Sequence, residues 1–292
     1  MNARTRRDDV RTTTRTTSWL STLAAMSAAI LVLTLAPAAA ARLRPGRSGG
    51  GQFHLTCMYT QSRTDDPIVF PNKPGASHLH QFFGNVSTSA TSTFTTMQRS
   101  GTSCRFAGDR SAYWAPALIS TTGQEVKPIS LTAYYYAGNG RVVAFPPNFR
   151  LIAGALSGSH TTDLSKFGYT CGGGTPTSTT PPNCGSLQVK AVVVFPSCWN
   201  GKYIDSLDHR SHMAYPRGNG CPSGYPVLLP KIVLHIRYPV TNATGYRLSS
   251  DVGMGYTSGM SMHADFWNVW DPTALNSAVT NCLNAGKDCD LG

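Results

Sequence analysis

Short runs of hydrophobic residues, rich in β-branched and aromatic side chains and bounded by Gly and Pro, dominate the chain and predict strands. The predicted strands cover residues 112–120, 129–137, 142–145, 151–155, 188–195 and 232–240. A helical pattern stands out at residues 272–284, where Asp271 can cap the first turn and Pro272 suits the first helical position. We therefore predict a mainly β, disulfide-stapled domain, with a β-sandwich or jelly-roll-like core, long loops and a C-terminal helix.

The first 41 residues have the pattern of a secretory signal peptide. Five arginines precede an apolar run that extends to Ala36, and the alanines at 38 to 41 supply small residues for cleavage. A signal anchor is the alternative, since the run is nearly long enough to span a bilayer. We expect cleavage near Ala41, a secreted extracellular protein, and no membrane association after cleavage.

The remaining chain is expected to form one domain. Residues 42–52 (RLRPGRSGGGQ) are typical of a flexible linker, and residues 53–292 are long enough to bury a core of their own. The net charge of the whole chain is +11, but beyond the linker the basic residues are spread thinly. Proteins that bind nucleic acid concentrate such charge on one face. We therefore expect no nucleic-acid partner, and a diffuse attraction to anionic cell-wall polymers instead.

Eight cysteines follow the predicted leader, at positions 57, 104, 171, 184, 198, 221, 282 and 289. An even number in an oxidising compartment indicates four disulfides. Roughly a hundred pairings are possible, and the sequence alone does not select one. We expect sequential pairing, 57–104, 171–184, 198–221 and 282–289, because the last three pairs would close short, turn-rich loops. Zinc–thiolate sites are disfavoured because the chain has no C-x-x-C pair.

Residues 195–230 form the stretch with the most chemistry. His209 and His212 lie three apart behind Asp205, in a loop rich in Pro, Gly and Cys. Such loops commonly carry function on a rigid frame. Two further motifs repeat the combination of residue types: His78-x-His80, and His263-x-Asp265. If residues 78–80 are extended, their two imidazoles project to one face about 6.5 Å apart at the backbone, close enough to share one metal ion.

Histidine with carboxylate supports two kinds of chemistry, and both remain open. The side chains can hold one divalent transition metal, for which His78 and His80 are the candidate ligands. Without a metal, an Asp-oriented histidine can act as general acid or base. The candidate catalytic residues are Asp205, His209, His212, His263 and Asp265. The structural alternative is a buried hydrogen-bond network that only pins loops together.

Aromatic side chains provide a second indication, because sugar rings stack on exposed aromatic faces. Most of the rings are expected in the core. Trp199, Trp267 and Tyr215 are the candidate substrate-binding rings. Glu125 is the only glutamate, which excludes a mechanism that uses two glutamates.

Several segments, in order, carry a family resemblance: HLHQFFG (78–84), DRSAYWAP (109–116), FPSCWNGK (195–202), DHRSHMAYP (208–216), CPSGYPV (221–227) and HADFWNVWD (263–271). The chain resembles a family of secreted domains of unknown function, often joined to WSC carbohydrate-binding modules in fungi and also found in actinobacteria. That association implies a function on cell-wall or plant polysaccharides. The family usually has Asp where this chain has Asn200, so no role is carried over to that position.

These observations favour a secreted carbohydrate-active protein whose partner is a polysaccharide or cell-wall glycan. An enzyme is the first interpretation: a polysaccharide hydrolase or lyase with a His/Asp centre, either with or without a metal. The alternative is a non-catalytic carbohydrate-binding or cell-wall-associated module. Both depend on the three histidine motifs meeting in one place.

Overall fold

The computed structural model describes residues 50–155, 163–254 and 258–292. The predicted signal peptide and most of the predicted linker lie outside these residues, and the division into leader, linker and domain stays a prediction. Gly51 is buried and β1 begins at Gln52, so the last residues of the predicted linker already belong to the folded part. No helix among the described residues is long and apolar enough to cross a membrane.

The described part of the chain is mainly β. Its strands are β1 (Gln52–Arg63), β2 (His80–Gly84), β3 (Ala112–Pro116), β4 (Leu118–Ile119), β5 (Glu125–Val126), β6 (Ser130–Tyr136), β7 (Arg150–Gly154), β8 (Phe167–Thr170), β9 (Lys190–Val194), β10 (Cys198–Trp199), β11 (Met213–Ala214), β12 (Val227–Leu228), β13 (Lys231–Arg237), β14 (Arg247–Leu248), β15 (His263–Trp267) and β16 (Asp288–Asp290). The helices are α1 (Phe94–Gln98), α2 (Ser249–Met254) and α3 (Pro272–Ala278), which continues as a π-helical turn over Val279–Leu283.

One large sheet organises the fold. Its strand order is β7-β15-β3-β2-β1-β6-β13-β9-β8, with antiparallel neighbours throughout, and β16 pairs in parallel with β1. The sheet curls until β7 near one end contacts β9 near the other, which makes it nearly barrel-shaped. The prediction of a mainly β, disulfide-stapled domain with a C-terminal helix is confirmed. Its form is one strongly curled sheet.

The main hydrophobic core fills the inside of the curl. In β1 the inward residues Phe53, Leu55 and Cys57 are fully buried, and the residues between them are at least partly exposed. This alternation follows from the two-residue period of a strand. β2, β3 and β15 differ because they are buried on both faces. Their outward aromatic residues join Ile68 of the loop after β1 and Met97 of α1 in a second, smaller cluster.

Four disulfides close the predicted loops. The bonds join Cys57 to Cys104, Cys171 to Cys184, Cys198 to Cys221, and Cys282 to Cys289. The expected sequential pairing is therefore confirmed. Such bonds are compatible with an oxidising, extracellular compartment. The bond between Cys198 and Cys221 ties down both ends of the loop that contains His209 and His212.

Candidate metal centre

Neighbouring strands place three of the predicted residues on the outer face of the sheet. β3 lies between β2 and β15, and in its register His80 pairs with Pro116 while Asp265 pairs with Trp114. His263 and Asp265 are two residues apart, so both side chains leave the same face of β15. The imidazole of His80 on β2 therefore faces the imidazole of His263 and the carboxylate of Asp265 on β15.

The loop between β1 and β2 closes over this face and adds two more side chains. The carboxylate of Asp66 accepts hydrogen bonds from the backbone N–H groups of Ile68 and Val69, each 3.0 Å, which turns the loop back on itself. His78 lies just before β2, with its ring centroid 4.2 Å from that of His80 and 5.1 Å from that of His263. The expected meeting of the 78–80 and 263–265 motifs is thus present in the structure.

The side chains form two overlapping groups with metal-ligand spacing. One nitrogen each from His78, His80 and His263 lies within 4.8 Å of the others. The same limit encloses ligand atoms of Asp66, His80 and Asp265. His80 belongs to both groups and has one ring nitrogen to offer, so we interpret them as the surroundings of one ion.

Backbone carbonyls orient two of the rings. The Nδ1 of His80 lies 3.0 Å from the carbonyl oxygen of Asp65, and that of His263 lies 2.8 Å from the carbonyl oxygen of Ser261. A carbonyl oxygen can only accept, so each Nδ1 carries the proton and each Nε2 keeps a lone pair. Metal-binding histidines are oriented in this way in most proteins.

Several atoms of the centre have no hydrogen-bond partner among the described residues. They are the Nε2 atoms of His78 and His80 and both carboxylate oxygens of Asp265. Asp265 and His80 are fully buried. A buried polar group without a partner costs about 1–3 kcal/mol, and a charged one costs more. These four atoms belong to two groups that share His80, and a cation bound between the groups would supply the missing partner.

Burial also sets the protonation states that a metal requires. It lowers the pKa of His78 to about 4 and that of His263 to about 3, and it lowers the pKa of His80 well below its ordinary value. All three rings are therefore neutral donors near neutral pH. Burial, reinforced by the charge of Asp66, raises the pKa of Asp265 well above its usual range. A bound cation would hold this carboxylate in its ionised form.

The ligand types suit a borderline divalent transition metal such as zinc. Imidazole nitrogens with one carboxylate are typical of such sites, whereas magnesium and calcium prefer oxygen ligands. His78 is half-buried, while His80, Asp66 and Asp265 lie deeper, so His78 is the most exposed ligand of the centre.

A groove of about 850 Å³ lies beside this centre. Its walls come from residues 68–71 and 200–212. Tyr203 and Leu207 line the groove; Tyr203 is 62% exposed and Leu207 is fully exposed. Asn200, Ser206 and Ser211 add polar groups to the lining. Ile68 and Val69 line the groove, and their backbone N–H groups donate to Asp66 of the centre. The carbonyl oxygen of His209 accepts from Ile152, which pairs with Asp265, so groove and centre are neighbours.

His209 and Asp205 form an oriented pair in the groove wall. The Nδ1 of His209 lies 2.8 Å from Oδ1 of Asp205, whose other oxygen lies 3.5 Å from the guanidinium of Arg150. His209 has a left-handed backbone, with φ at 55°. This conformation is uncommon outside glycine, and such strain clusters at functional sites.

His212 does not join the metal centre, although it borders the groove. Its Nδ1 lies 2.9 Å from the hydroxyl of Ser206, and its Nε2 lies 2.9 Å from the carbonyl oxygen of Arg150. Both ring nitrogens are engaged within the protein, which gives His212 a structural role, and its expected catalytic role stays a prediction. The ring ties its loop to β7.

The expected aromatic binding residues have different outcomes: Trp267 is corrected, while Trp199 and Tyr215, both partly exposed, stay predictions. Trp267 is 1% exposed, donates to the side chain of Asn148 and stacks under Arg150, so it cannot face a ligand. Trp199 donates to the carbonyl oxygen of Tyr203 and packs its edge on Phe149.

Tyr215 donates to the carbonyl oxygen of Val194, away from the groove lining. The exposed ring at the groove is Tyr203 instead. Tyr203 lies three residues after Asn200, and the Asn200 side chain accepts a hydrogen bond from the Tyr203 backbone N–H. An asparagine in this position is a turn signal, and the sequence does contain it.

Asp66 is the second residue that the sequence did not single out. It belongs to the run DDPIVF before the His78 motif, and two adjacent aspartates before a proline suggest a turn as readily as a ligand. The third group with metal-ligand spacing, Cys57, Cys104 and Asp109, holds no metal in this form because its two sulfur atoms form a disulfide.

The sequence match agrees with the family resemblance. Residues 66–270 match the family described as a domain of unknown function, DUF1996. The chain belongs to this family, and the match includes Asp66, His78, His80, His263 and Asp265. Comparison with curated proteins and with solved structures gives no match.

Proposed function

We propose that this protein is a secreted, metal-dependent enzyme that acts on a polysaccharide or cell-wall glycan. The observation that carries the proposal is the set of unpartnered donor atoms of His78, His80 and Asp265, which converge with His263. A divalent transition metal held there supplies a Lewis acid and activates water near neutral pH.

The extracellular location rests on two features. The first 41 residues have the pattern of a cleaved secretory leader. The four disulfides require an oxidising compartment to form and persist.

The groove supports a glycan as the substrate. Tyr203 presents an exposed ring, and Asn200, Ser206 and Ser211 supply amide and hydroxyl groups of the kind that bind sugar hydroxyls. An open groove beside the centre also suits a long chain better than a small molecule enclosed on all sides.

The test begins with metal content. The purified mature protein, incubated with zinc and desalted, should retain one equivalent by elemental analysis, and the double variant His78→Ala/His80→Ala should retain none. His54→Gln is the matched control, because His54 lies on β1 beside Asp290, outside the centre. A wild-type protein that binds no divalent transition metal contradicts the proposal.

The second measurement separates an enzyme from a binding module. The zinc-loaded protein is incubated with soluble and insoluble cell-wall polysaccharides, and both binding and released products are followed. Products that appear with the wild type and disappear with the double variant support the enzyme. Binding that is equal for both proteins, without products, favours the non-catalytic module.

A further inference from the structure

Building on the proposed metal-dependent function, we propose that the bond cleaved is an acyl bond on the glycan, an ester or amide, with His209 as the proton-transfer residue. The glycosidic linkage between sugars is left intact. Two independent observations support this proposal. The carboxylates around the groove are hydrogen-bonded or buried, and the His209 ring is held by Asp205 with one nitrogen free.

Glycosidic hydrolysis usually needs two carboxyl groups on opposite sides of the scissile bond. Among the groove residues that the structure describes, Asp205 is the one carboxylate, and it already bonds His209, the backbone N–H of Ser206 and Arg150. The nearby Asp208 accepts hydrogen bonds from Ser206, Arg210 and Ser211.

The remaining carboxylates of the site lie in the centre. Asp66 is 4% exposed and Asp265 is fully buried, and their ligand atoms lie within 4.8 Å of that of His80. Two carboxyl groups held together there leave no space for a sugar ring between them. The usual arrangement for glycosidic cleavage is therefore absent from the described residues of the site.

Acyl hydrolysis needs a different set of groups, and the site contains them. The carbonyl oxygen of an ester or amide must be polarised, and the attacking water must lose a proton. The metal proposed at the centre, held by imidazoles and a carboxylate, would supply the polarisation. The protein then needs one base with a free lone pair beside the centre.

His209 has the geometry of that base. Its Nδ1 donates to Asp205 at 2.8 Å, so its Nε2 carries a lone pair, and this atom bonds no residue that the structure describes. The ring borders the groove and is 20% exposed, and the His209 backbone bonds Ile152, which pairs with Asp265 of the centre. His212, three residues on, has both ring nitrogens engaged and cannot take this role.

The local backbone fixes the ring. The left-handed conformation of His209 is held by its N–H, which donates to Ser206 at 2.8 Å, and by its carbonyl oxygen, which accepts from Ile152 of β7 at 3.1 Å. Asp205 is in turn held by Arg150, the first residue of β7. One strand thus anchors both members of the pair, and Asp205 acts as a positioning residue.

The reaction balances with water as the co-reactant. His209 Nε2 takes a proton from water, and the water oxygen bonds to the acyl carbon. The bond between that carbon and the sugar oxygen or nitrogen then breaks, and the protonated His209 returns its proton to that leaving atom. The products are a carboxylic acid, which ionises in solvent, and a free hydroxyl or amine on an intact glycan chain.

The test uses the zinc-loaded mature protein with O-acetylated xylan and N-acetylated chitin oligosaccharides as probes. Released acetate and new reducing ends are measured separately. We expect acetate without reducing ends from at least one probe. Reducing ends without acetate overturn the acyl assignment.

Variants test the role of His209 on the probe that releases acetate. His209→Ala should retain one zinc and lose about 10²–10⁴-fold in kcat, with KM changed by no more than a few-fold. Added imidazole should restore part of the rate, which a merely structural role does not predict. Asp205→Asn should lower kcat in the same direction with zinc retained, and His54→Gln should match the wild type.

The remaining outcomes distinguish this inference from the function on which it rests. A wild-type protein that holds zinc but releases no acetate contradicts the acyl assignment and leaves the metal centre standing. An unchanged rate in His209→Ala overturns the role of His209 alone. Absence of bound metal refutes the proposed function itself.

Discussion

At the scale of single residues, hydrogen-bond partners separate the ligands from the structural histidines. His80 and His212 are both buried, but His80 keeps one ring nitrogen without a partner while His212 uses both. The first ring is therefore available to a metal, and the second is part of the framework. Residue type and spacing along the chain do not contain this distinction.

The contrast gives a direct prediction for two alanine variants. His212→Ala leaves the Arg150 carbonyl and the Ser206 hydroxyl without their partner, so the free energy of unfolding should fall by about 2–4 kcal/mol. Zinc stoichiometry should remain at one. Urea unfolding and elemental analysis measure the two quantities.

His78→Ala should show the opposite pattern. Its Nε2 has no protein partner to lose, so the metal-free stability should change little while zinc affinity falls. Loss of zinc in His212→Ala, with retention in His78→Ala, would show that the ligands are wrongly assigned.

A second residue-scale prediction concerns Asp251, which supports the His263 ligand. Its buried carboxylate accepts from the backbone N–H and the hydroxyl of Ser261, whose carbonyl oxygen orients the His263 ring. Replacing such outer partners typically costs 10–100-fold in metal affinity. We expect Asp251→Asn to weaken zinc binding by roughly that factor in a chelator competition assay.

Two further variants keep this prediction testable. Ser261→Ala removes one of the bonds while leaving the carboxylate, and it should show a smaller loss of affinity in the same direction. Asp288→Asn, at an exposed aspartate of β16, should have no effect. Equal affinities in all three proteins would mean that the His263 ring is oriented without Asp251.

At the scale of elements, strands made of a run of hydrophobic or β-branched residues were predictable, whether one face or both faces are buried. β3, β6 and β9 lie within predicted runs, and β7 and β13 each begin one residue before theirs. β1, β2 and β15 lie in none of the predicted runs, because β1 alternates with polar residues and β2 and β15 begin with them. The outer face of β2 is covered by the loop that precedes it and by Met97 of α1, tertiary contacts that the local pattern does not report.

Two other elements differ from the prediction for physical reasons. The predicted strand at residues 142–145 forms no ladder, although Val142 is buried and its backbone bonds the side chain of Asn284. The C-terminal helix begins as predicted with Asp271 as its cap. Its α-helical part ends at Ala278, and a π-helical turn continues to Leu283, where Cys282 forms its disulfide.

A buried carboxyl group just before β3 should make the stability of the fold depend on pH. Asp109 is fully buried and bonds Tyr113 and Ser111, and burial raises its pKa from an ordinary 3.8 to about 6. The folded state therefore binds this proton more tightly than the unfolded state does. Its contribution to stability is complete below about pH 4 and is lost as the pH rises through 6.

The variant Asp109→Asn isolates this contribution. Between pH 4 and 7 the wild type should lose about 3 kcal/mol of unfolding free energy relative to the variant, which cannot ionise there. Urea unfolding of both proteins across this range measures the difference. Parallel stability curves would contradict the raised pKa of Asp109.

At the scale of the whole molecule, the centre depends on the strand order of the sheet. The residues of the 78–80 and 263–265 motifs were identified from sequence as one candidate site, because their residue types agree. Their distances, the contribution of Asp66 and the exclusion of His212 required the fold. The strand order that places β15 two strands from β2 is set by tertiary pairing through β3, which no local motif encodes.

Metal binding should stabilise the folded protein as a whole. A ligand at a thousand times its Kd adds about 4 kcal/mol to the folded state. For a chain of this size we expect a rise in Tm of roughly 10 °C between the EDTA-treated and the zinc-loaded protein. Calorimetry measures the shift, and His78→Ala/His80→Ala should show none.

The donors of the centre come from two distant parts of the polypeptide, before residue 81 and after residue 262. A growing chain that stops short of β15 carries two imidazoles and cannot assemble the full cage. With the metal bound as proposed, capture of the ion would come late in maturation, after both remote segments have reached their final places.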